Sequence, residues 1–202
     1  MANIIKTFSE ISEKYTTIIC DLWGCLHNGV KSFPEALKAL EGFKASNGKI
    51  VLVTNAPRPI VNVQYQLETL GIKTTHYDML LTSGELTSNY ISKFCKKKLR
   101  VFHIGGETHH SIYKDMIHEK KISIEQENIS ESDLIVCTEP FYPSRDLLFD
   151  YENMFKIGID KQLTFLCANP DFVVDVGEKR EMCAGALASM YEEMGGKVIY
   201  FG

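Results

Sequence analysis

The chain has 202 residues, 45% hydrophobic and 24% charged, enough for one large domain or two small ones with a buried core. Its net charge of −4 comes with no basic stripe, which excludes an electrostatically driven nucleic-acid or anionic-membrane partner. No apolar window is long enough to span a bilayer, and Met1 to Glu10 lacks a signal-peptide core; six scattered cysteines with no C-x-x-C pair read as reduced, buried small hydrophobes, so a cytoplasmic location is expected.

In chain order, Thr16 to Cys20 is an unbroken β-rich run, the pattern of a parallel strand buried on both faces. Ser32 with Glu35 forms a capping-box pattern, Pro34 suits a first turn, and Phe33, Leu37, Leu40 and Phe43 recur at helical spacing up to the Asn47-Gly48 stop. Lys49 to Thr54 is a second buried strand, which makes the opening a β-α-β unit. A helix from near Pro59 carries Val63, Leu67 and Leu70 and ends at Gly71; a short strand, Met79 to Thr82, follows. Thr82 with Glu85 caps a helix running to about Cys95, where Lys96-Lys97-Lys98 reads as a solvated helix end.

From Leu99 the alternation restarts. Strands are expected at Leu99–Ile104, Asp133–Cys137 and Leu163–Cys167, with helices beginning near Glu107 and Ser144. A final helix, Cys183 to Glu193, stops at Gly195-Gly196, and Lys197 to Phe201 is a last strand. The class is α/β, with a second α/β unit beginning near Thr82.

Ligands of open α/β sheets bind beyond the carboxyl ends of the strands, and Asp21 is the first polar residue past such an end. Gly24 and Gly29 permit a tight turn, with Cys25 to Asn28 as a small flap. Thr54-Asn55, ending the next strand, supplies a hydroxyl and main-chain N–H groups suited to phosphate oxygens. A carboxylate beside such donors suits nucleophilic phosphoryl transfer, with a divalent cation to quench repulsion between the anions. Other candidates are weaker. His109-His110 with His118 lacks the spacing of a helical zinc pair and reads as a surface helix, and Gly105-Gly106 lacks the further glycine of a dinucleotide fingerprint. His27 and Asn28 either touch a leaving group or cap the turn; Asn169 and Asp171 either contact substrate or form an Asx-turn.

In order, I-I-C-D-L-W-G-C-L-H-N-G, V-L-V-T-N-A-P-R-P, L-T-S-G-E-L-T, C-A-N-P-D and G-G-K-V-I-Y-F-G resemble the motifs of the haloacid dehalogenase superfamily, class IIA, which groups sugar-phosphate, nucleotide and pyridoxal-phosphate phosphatases; within it the form D-x-W-G-x-L-H-x-G is most similar to a subfamily of predicted hydrolases. The resemblance implies a Rossmann-like parallel-sheet core with an inserted α/β cap: residues 1–82 as the first part of the core, 83–196 as the cap and 197–202 as the start of the returning core strand. It implies a Mg²⁺-dependent phosphatase acting on a small phosphorylated metabolite through an aspartyl-phosphate. In that scheme Asp21 is nucleophile and metal ligand, the main-chain carbonyl of Trp23 is a second ligand, Thr54 and Asn55 hold the phosphoryl group, and Asn169 and Asp171 lie in the cap near the substrate. A homo-oligomer through the cap is compatible with it.

Two features depart from the family pattern. The usual D-x-D has Trp23 as its third residue, and an indole N–H neither gives nor takes a proton near neutral pH. The chain also stops before the family's Lys-Pro step and acidic motif, which suggests a truncated form. Trp23 leaves open two alternatives: a catalytically weak binding or regulatory protein, and a hydrolase of activated phosphates.

Overall fold

The computed structural model describes residues 4–94, 98–176 and 179–202; Cys95, Lys96 and Lys97, where a helix end and most of a basic run were expected, lie outside them. By contact the chain divides into one unit that ends at Thr54 and resumes over Ile60–Leu81, and another made of Asn55–Pro59 and Thr82–Gly202. Among the described residues no helix is long and apolar enough to cross a membrane.

The first unit contains α1 (Ser9–Ser12), β1 (Thr17–Asp21), α2 (Pro34–Ala45), β2 (Lys49–Thr54), α3 (Ile60–Thr69) and β3 (Met79–Thr82), whose last residue belongs by contact to the second unit. Its sheet has the order β1-β2-β3, and β1 and β2 are parallel, with Thr17 opposite Lys49 and Asp21 opposite Val53. Ile50 and Leu52 of β2 are fully buried, and Leu40 and Phe43 of α2 and Val63 and Leu67 of α3 are buried with them. Burying side chains of this size stabilises by about 1.5–3 kcal/mol each. The unbroken apolar run of β1 was expected to be buried on both faces. Instead it alternates, and Ile19 is 72% exposed, because β1 is an edge strand covered on the Ile18–Cys20 side alone.

The helix start also differs from expectation. No side chain caps α2, because Ser32 is drawn into an antiparallel bridge with His27 and the Phe33 N–H donates to the Leu26 carbonyl at 2.8 Å, leaving Pro34 to open the helix. At its far end Asn47 takes a left-handed conformation (φ 63°), and the Phe43 ring packs where any side chain on Gly48 would stand.

The second unit contains α4 (Ser83–Phe94), β4 (Leu99–Ile104), α5 (Lys114–His118), β5 (Ile122–Glu125), β6 (Leu134–Cys137), α6 (Glu152–Asp160), β7 (Thr164–Cys167), β8 (Val173–Val176), β9 (Lys179–Met182), α7 (Ala184–Glu193) and β10 (Lys197–Tyr200). Its main sheet is parallel with the order β10-β7-β6-β4-β5. Alternate residues of the same strands feed two cores. Phe102, Ile135 and Phe165 pack with Phe155 of α6 and Leu187 and Tyr191 of α7, whereas Val101, Val136 and Leu166 pack with Ile91 of α4 and Met116 of α5. A parallel sheet with helices on both faces results.

Several elements here differ from the sequence expectation. Lys197 to Tyr200, expected to return to the first sheet, pairs in parallel with β7, because its apolar side chains complete the two cores of the second sheet. The helix expected from Ser144 starts at Glu152 after a 3-10 turn, since the Ser144 hydroxyl donates to Glu181 of β9 at 2.8 Å. The segment from Glu107 to Tyr113 is a 3-10 helix ahead of the short α5. Strand β5 and the β8–β9 hairpin were not anticipated; both are four-residue strands rich in charged or polar positions.

Truncating Leu52 to Ala, at the centre of the first unit's core, is expected to cost about 2–5 kcal/mol of unfolding free energy in a urea titration. A loss below about 0.5 kcal/mol, the range of surface substitutions, is the contrary result.

Candidate active site

Because β1 and β2 run in parallel with Asp21 opposite Val53, Asp21 and Thr54 end neighbouring strands at one edge of the first sheet. The Leu22 N–H donates to Asp21 Oδ1 at 2.7 Å, which orients the carboxylate and leaves its other oxygen available. The chain then folds into a tight turn: the N–H groups of Cys25, Leu26 and His27 converge on the Leu22 carbonyl, and Gly24 N–H donates to the His27 carbonyl at 2.8 Å. Both Gly24 (φ 77°) and Gly29 (φ 84°) lie in the left-handed region. Gly29 has a second reason to be glycine, since a Cβ there would stand 2.6 Å from the Trp23 ring. The indole packs edge-on against His27, with ring centroids 5.8 Å apart, and remains 43% exposed.

His27 and Asn28 are turn-building residues in this arrangement. His27 is 3% exposed and its Nδ1 accepts the Gly29 N–H at 3.0 Å, while Asn28 Oδ1 accepts the N–H groups of Val30 and Lys31. No backbone N–H in the turn donates to the Trp23 carbonyl, so that oxygen and the free Asp21 oxygen are both hard donors of the kind Mg²⁺ prefers. The chemistry of this donor pair fits a small divalent cation. Among the described residues no group of three or more His, Cys, Asp or Glu side chains is arranged to hold a metal.

Asn55, the residue after β2, belongs by contact to the second unit, where its Nδ2 donates to Asp171 Oδ1 at 3.0 Å. Asn169 shapes that turn by accepting the Asp171 N–H at 3.2 Å. Thus two predicted groups, Asn55 and Asn169–Asp171, are brought together, and Asp21 and Thr54 form another pair. Arg58, quoted in the sequence motif but given no role, is half-buried; its carbonyl accepts the Thr82 hydroxyl at 2.6 Å, and burial lowers its guanidinium pKa. The local signal was the glycine at 84: a Cβ there would stand 2.2 Å from the Arg58 nitrogen.

Histidines cluster at the carboxyl end of β4. His103 is buried within the strand and bonds the Tyr113 hydroxyl at 2.9 Å, with His110 edge-on at 4.7 Å. Burial, reinforced by His110 and His109, pushes its pKa down to about 3. His109 bonds Thr138 Oγ1 at 3.0 Å and lies 3.5 Å from Glu139; burial lowers its pKa, Glu139 opposes this, and Arg58 and His110 add to it. Of the histidines expected on a surface helix, His109 and His110 are half-buried because Gly105 and Gly106 bring the following 3-10 turn back over β6, whereas His118 is exposed on α5. A cavity of about 590 Å³ opens at those glycines, lined by Gly105, Gly106, Gln126, Phe141, Tyr142 and Arg145; none of the residues predicted to bind phosphate, metal or substrate lines it.

Residues 18–118 match the profile of a family described as haloacid dehalogenase-like hydrolase. No curated protein matches the chain. Among solved structures, a hydrolase of the haloacid dehalogenase-like family from Brucella suis 1330 is 34% identical, with a TM-score of 0.85 over 98% of this chain and 72% of that one. A protein described as a possible sugar phosphatase from Cytophaga hutchinsonii ATCC 33406 is 20% identical, with a TM-score of 0.75 over 100% of this chain and 72% of that one. A 4-nitrophenylphosphatase from Thermotoga maritima is 21% identical, with a TM-score of 0.67 over 95% and 69%. The last two likenesses are of fold.

Two outcomes follow from the site geometry. Gly29→Ala should displace the indole; because Trp23 is the chain's single tryptophan, its fluorescence reports this directly, as a shifted emission maximum and a lower melting temperature. An unchanged spectrum would place the ring elsewhere. His103 stays neutral in the folded protein but protonates near pH 6.5 when unfolded, so the unfolded state binds more protons at acid pH. Its contribution is complete above about pH 6.5 and is lost as pH falls toward about 3, at up to about 1.4 kcal/mol per pH unit. His103→Phe should flatten the stability–pH curve over that window, even at lower absolute stability; an unaltered slope is the contrary result.

Proposed function

The chain belongs to the haloacid dehalogenase-like hydrolase family, and from that premise we propose that it is a Mg²⁺-dependent phosphatase of small phosphorylated metabolites, with Asp21 as nucleophile. The observation that carries this reading is the parallel pairing that ends Asp21 and Thr54 on neighbouring strands of one sheet. An Asp21 oxygen attacks phosphorus, the bond from phosphorus to the leaving oxygen breaks, and an aspartyl-phosphate forms. Water then hydrolyses that acyl phosphate and regenerates the carboxylate. Thr54 and Asn55 bind the phosphoryl oxygens. Asp21 and the Trp23 carbonyl would hold Mg²⁺, which when bound supplies positive charge against the paired anions. The family role of Asp21, and the description of two proteins that share the fold as a 4-nitrophenylphosphatase and a possible sugar phosphatase, support the reading.

Trp23 favours a narrower substrate range. The exposed indole cannot protonate a leaving alkoxide, and positioned acid catalysis is typically worth about 10²- to 10⁴-fold. Aryl and acyl phosphates, whose leaving groups depart as stable anions, do not need it. Phosphate release should therefore require Mg²⁺, favour aryl over alkyl phosphates, and fall by several orders of magnitude in Asp21→Asn, as nucleophile removal generally does. Rapid, metal-independent release that Asp21→Asn leaves intact would show that the reaction uses another nucleophile.

A further inference from the structure

We propose that Asp171 is a positioning residue which fixes the orientation of the Asn55 carboxamide, so that the free N–H of that amide, and not its oxygen, is offered to the phosphoryl group. The inference rests on the reading of Asn55 as a phosphoryl-binding residue. Its structural basis is the 3.0 Å hydrogen bond from Asn55 Nδ2 to Asp171 Oδ1.

Both ends of that bond are held rigidly. Asp171 follows Asn169-Pro170; its N–H donates to Asn169 Oδ1 at 3.2 Å, and its carbonyl accepts the Gly185 N–H at 3.0 Å. Gly185, in the first turn of α7, has no room for a side chain: a Cβ would stand 2.1 Å from the Pro170 carbonyl oxygen and 2.6 Å from that of Asp171. On the other side, the residues after Asn55 are tied to the start of α4. Gly84 N–H donates to the Ala56 carbonyl at 3.1 Å, and the Thr82 hydroxyl to that of Arg58 at 2.6 Å. Gly202 also lies against the amide, its hypothetical Cβ 2.5 Å from Asn55 Oδ1.

The chemistry of the pair is directional. An ionised carboxylate only accepts hydrogen bonds, so it selects the nitrogen end of the amide. One N–H is spent on Asp171, and the other, with Oδ1, is thereby fixed in direction. An unrestrained carboxamide turns over readily and would present its oxygen to an anion in part of the population, which repels a phosphoryl oxygen. Asp171 also carries a negative charge, which by itself disfavours phosphate. Charge and positioning therefore make opposite predictions for Asp171→Asn: removal of charge alone tightens phosphate binding, whereas loss of an acceptor-only partner weakens it.

The test uses the full chain with Mg²⁺, measuring orthophosphate affinity by calorimetry and kcat and KM for an aryl phosphate in wild type, Asp171→Asn, Asp171→Ala, Asn55→Ala and the Asn55→Ala/Asp171→Ala double variant. Asp171 is exposed, and thermal melts of its variants should overlay that of wild type. Both Asp171 variants should raise KM and the phosphate dissociation constant about three- to tenfold, the range of one hydrogen bond's net contribution, with kcat changed less. In the Asn55→Ala background the Asp171 effect should vanish. Tighter phosphate binding by Asp171→Asn, or an effect that persists undiminished without the Asn55 side chain, overturns the proposal while leaving the phosphatase reading intact. A wild-type chain that neither binds nor releases phosphate overturns both.

Discussion

Parallel strand pairing is the constraint on which the rest of this structure depends. Parallel neighbours cannot be joined by a tight hairpin, so each strand is followed by a crossover that returns the chain to its starting edge. The carboxyl ends of β1 and β2 therefore lie on one side of the first sheet, and those of all five strands on one side of the second unit's main sheet. Asp21 and Thr54 share such an edge in the first unit; Gly105, Thr138 and Asn169 follow strand ends in the second. The helices that close the crossovers bury the sheet faces, which leaves the edge as the place where polar groups can gather without the cost of burial.

At that edge the loops are held by their own hydrogen bonds more than by packing. The turn after Asp21 converges three N–H groups on one carbonyl, and His27 and Asn28 spend their side chains on the backbone. Both side chains thereby build the turn that follows Asp21. The same turn determines what its third residue can contribute: the indole lies over Gly29 and against His27, and its N–H does not ionise near neutral pH, so it supplies no general acid.

The stretch Asn55–Pro59 shows how one loop can serve two structural masters. It begins directly after Thr54, yet its contacts are with the second unit, through Asp171, Gly84 and Thr82. Several close approaches there demand glycine on steric grounds, at 84, 185 and 202. Such positions carry no chemistry of their own, but each allows a main-chain segment to come near enough to fix a polar side chain.

Local pattern by itself determined a good deal about this protein. The α/β class, the helices α2, α3, α4 and α7 and the strands β1, β2, β4, β6 and β7 follow from apolar periodicity and from stop signals such as Asn47-Gly48, because each element's buried face is written in its own residues. Asp21 and Thr54 were legible as candidates for the same reason, as the polar residues that close β1 and β2, and Asn55 as the residue that follows. Only the tertiary structure decided which strand pairs with which. Tyr200 lies beside Cys167 and not in the first sheet, and Ile19 is open to solvent although its neighbours read as core, since pairing depends on surfaces formed by distant segments. Short polar strands such as β5 and the β8–β9 hairpin exist through their partners, not through any period of their own. The bond between Asn55 and Asp171 spans 116 residues of sequence. No local spacing encodes a contact of that separation, because it forms only after both turns have been fixed by the elements around them.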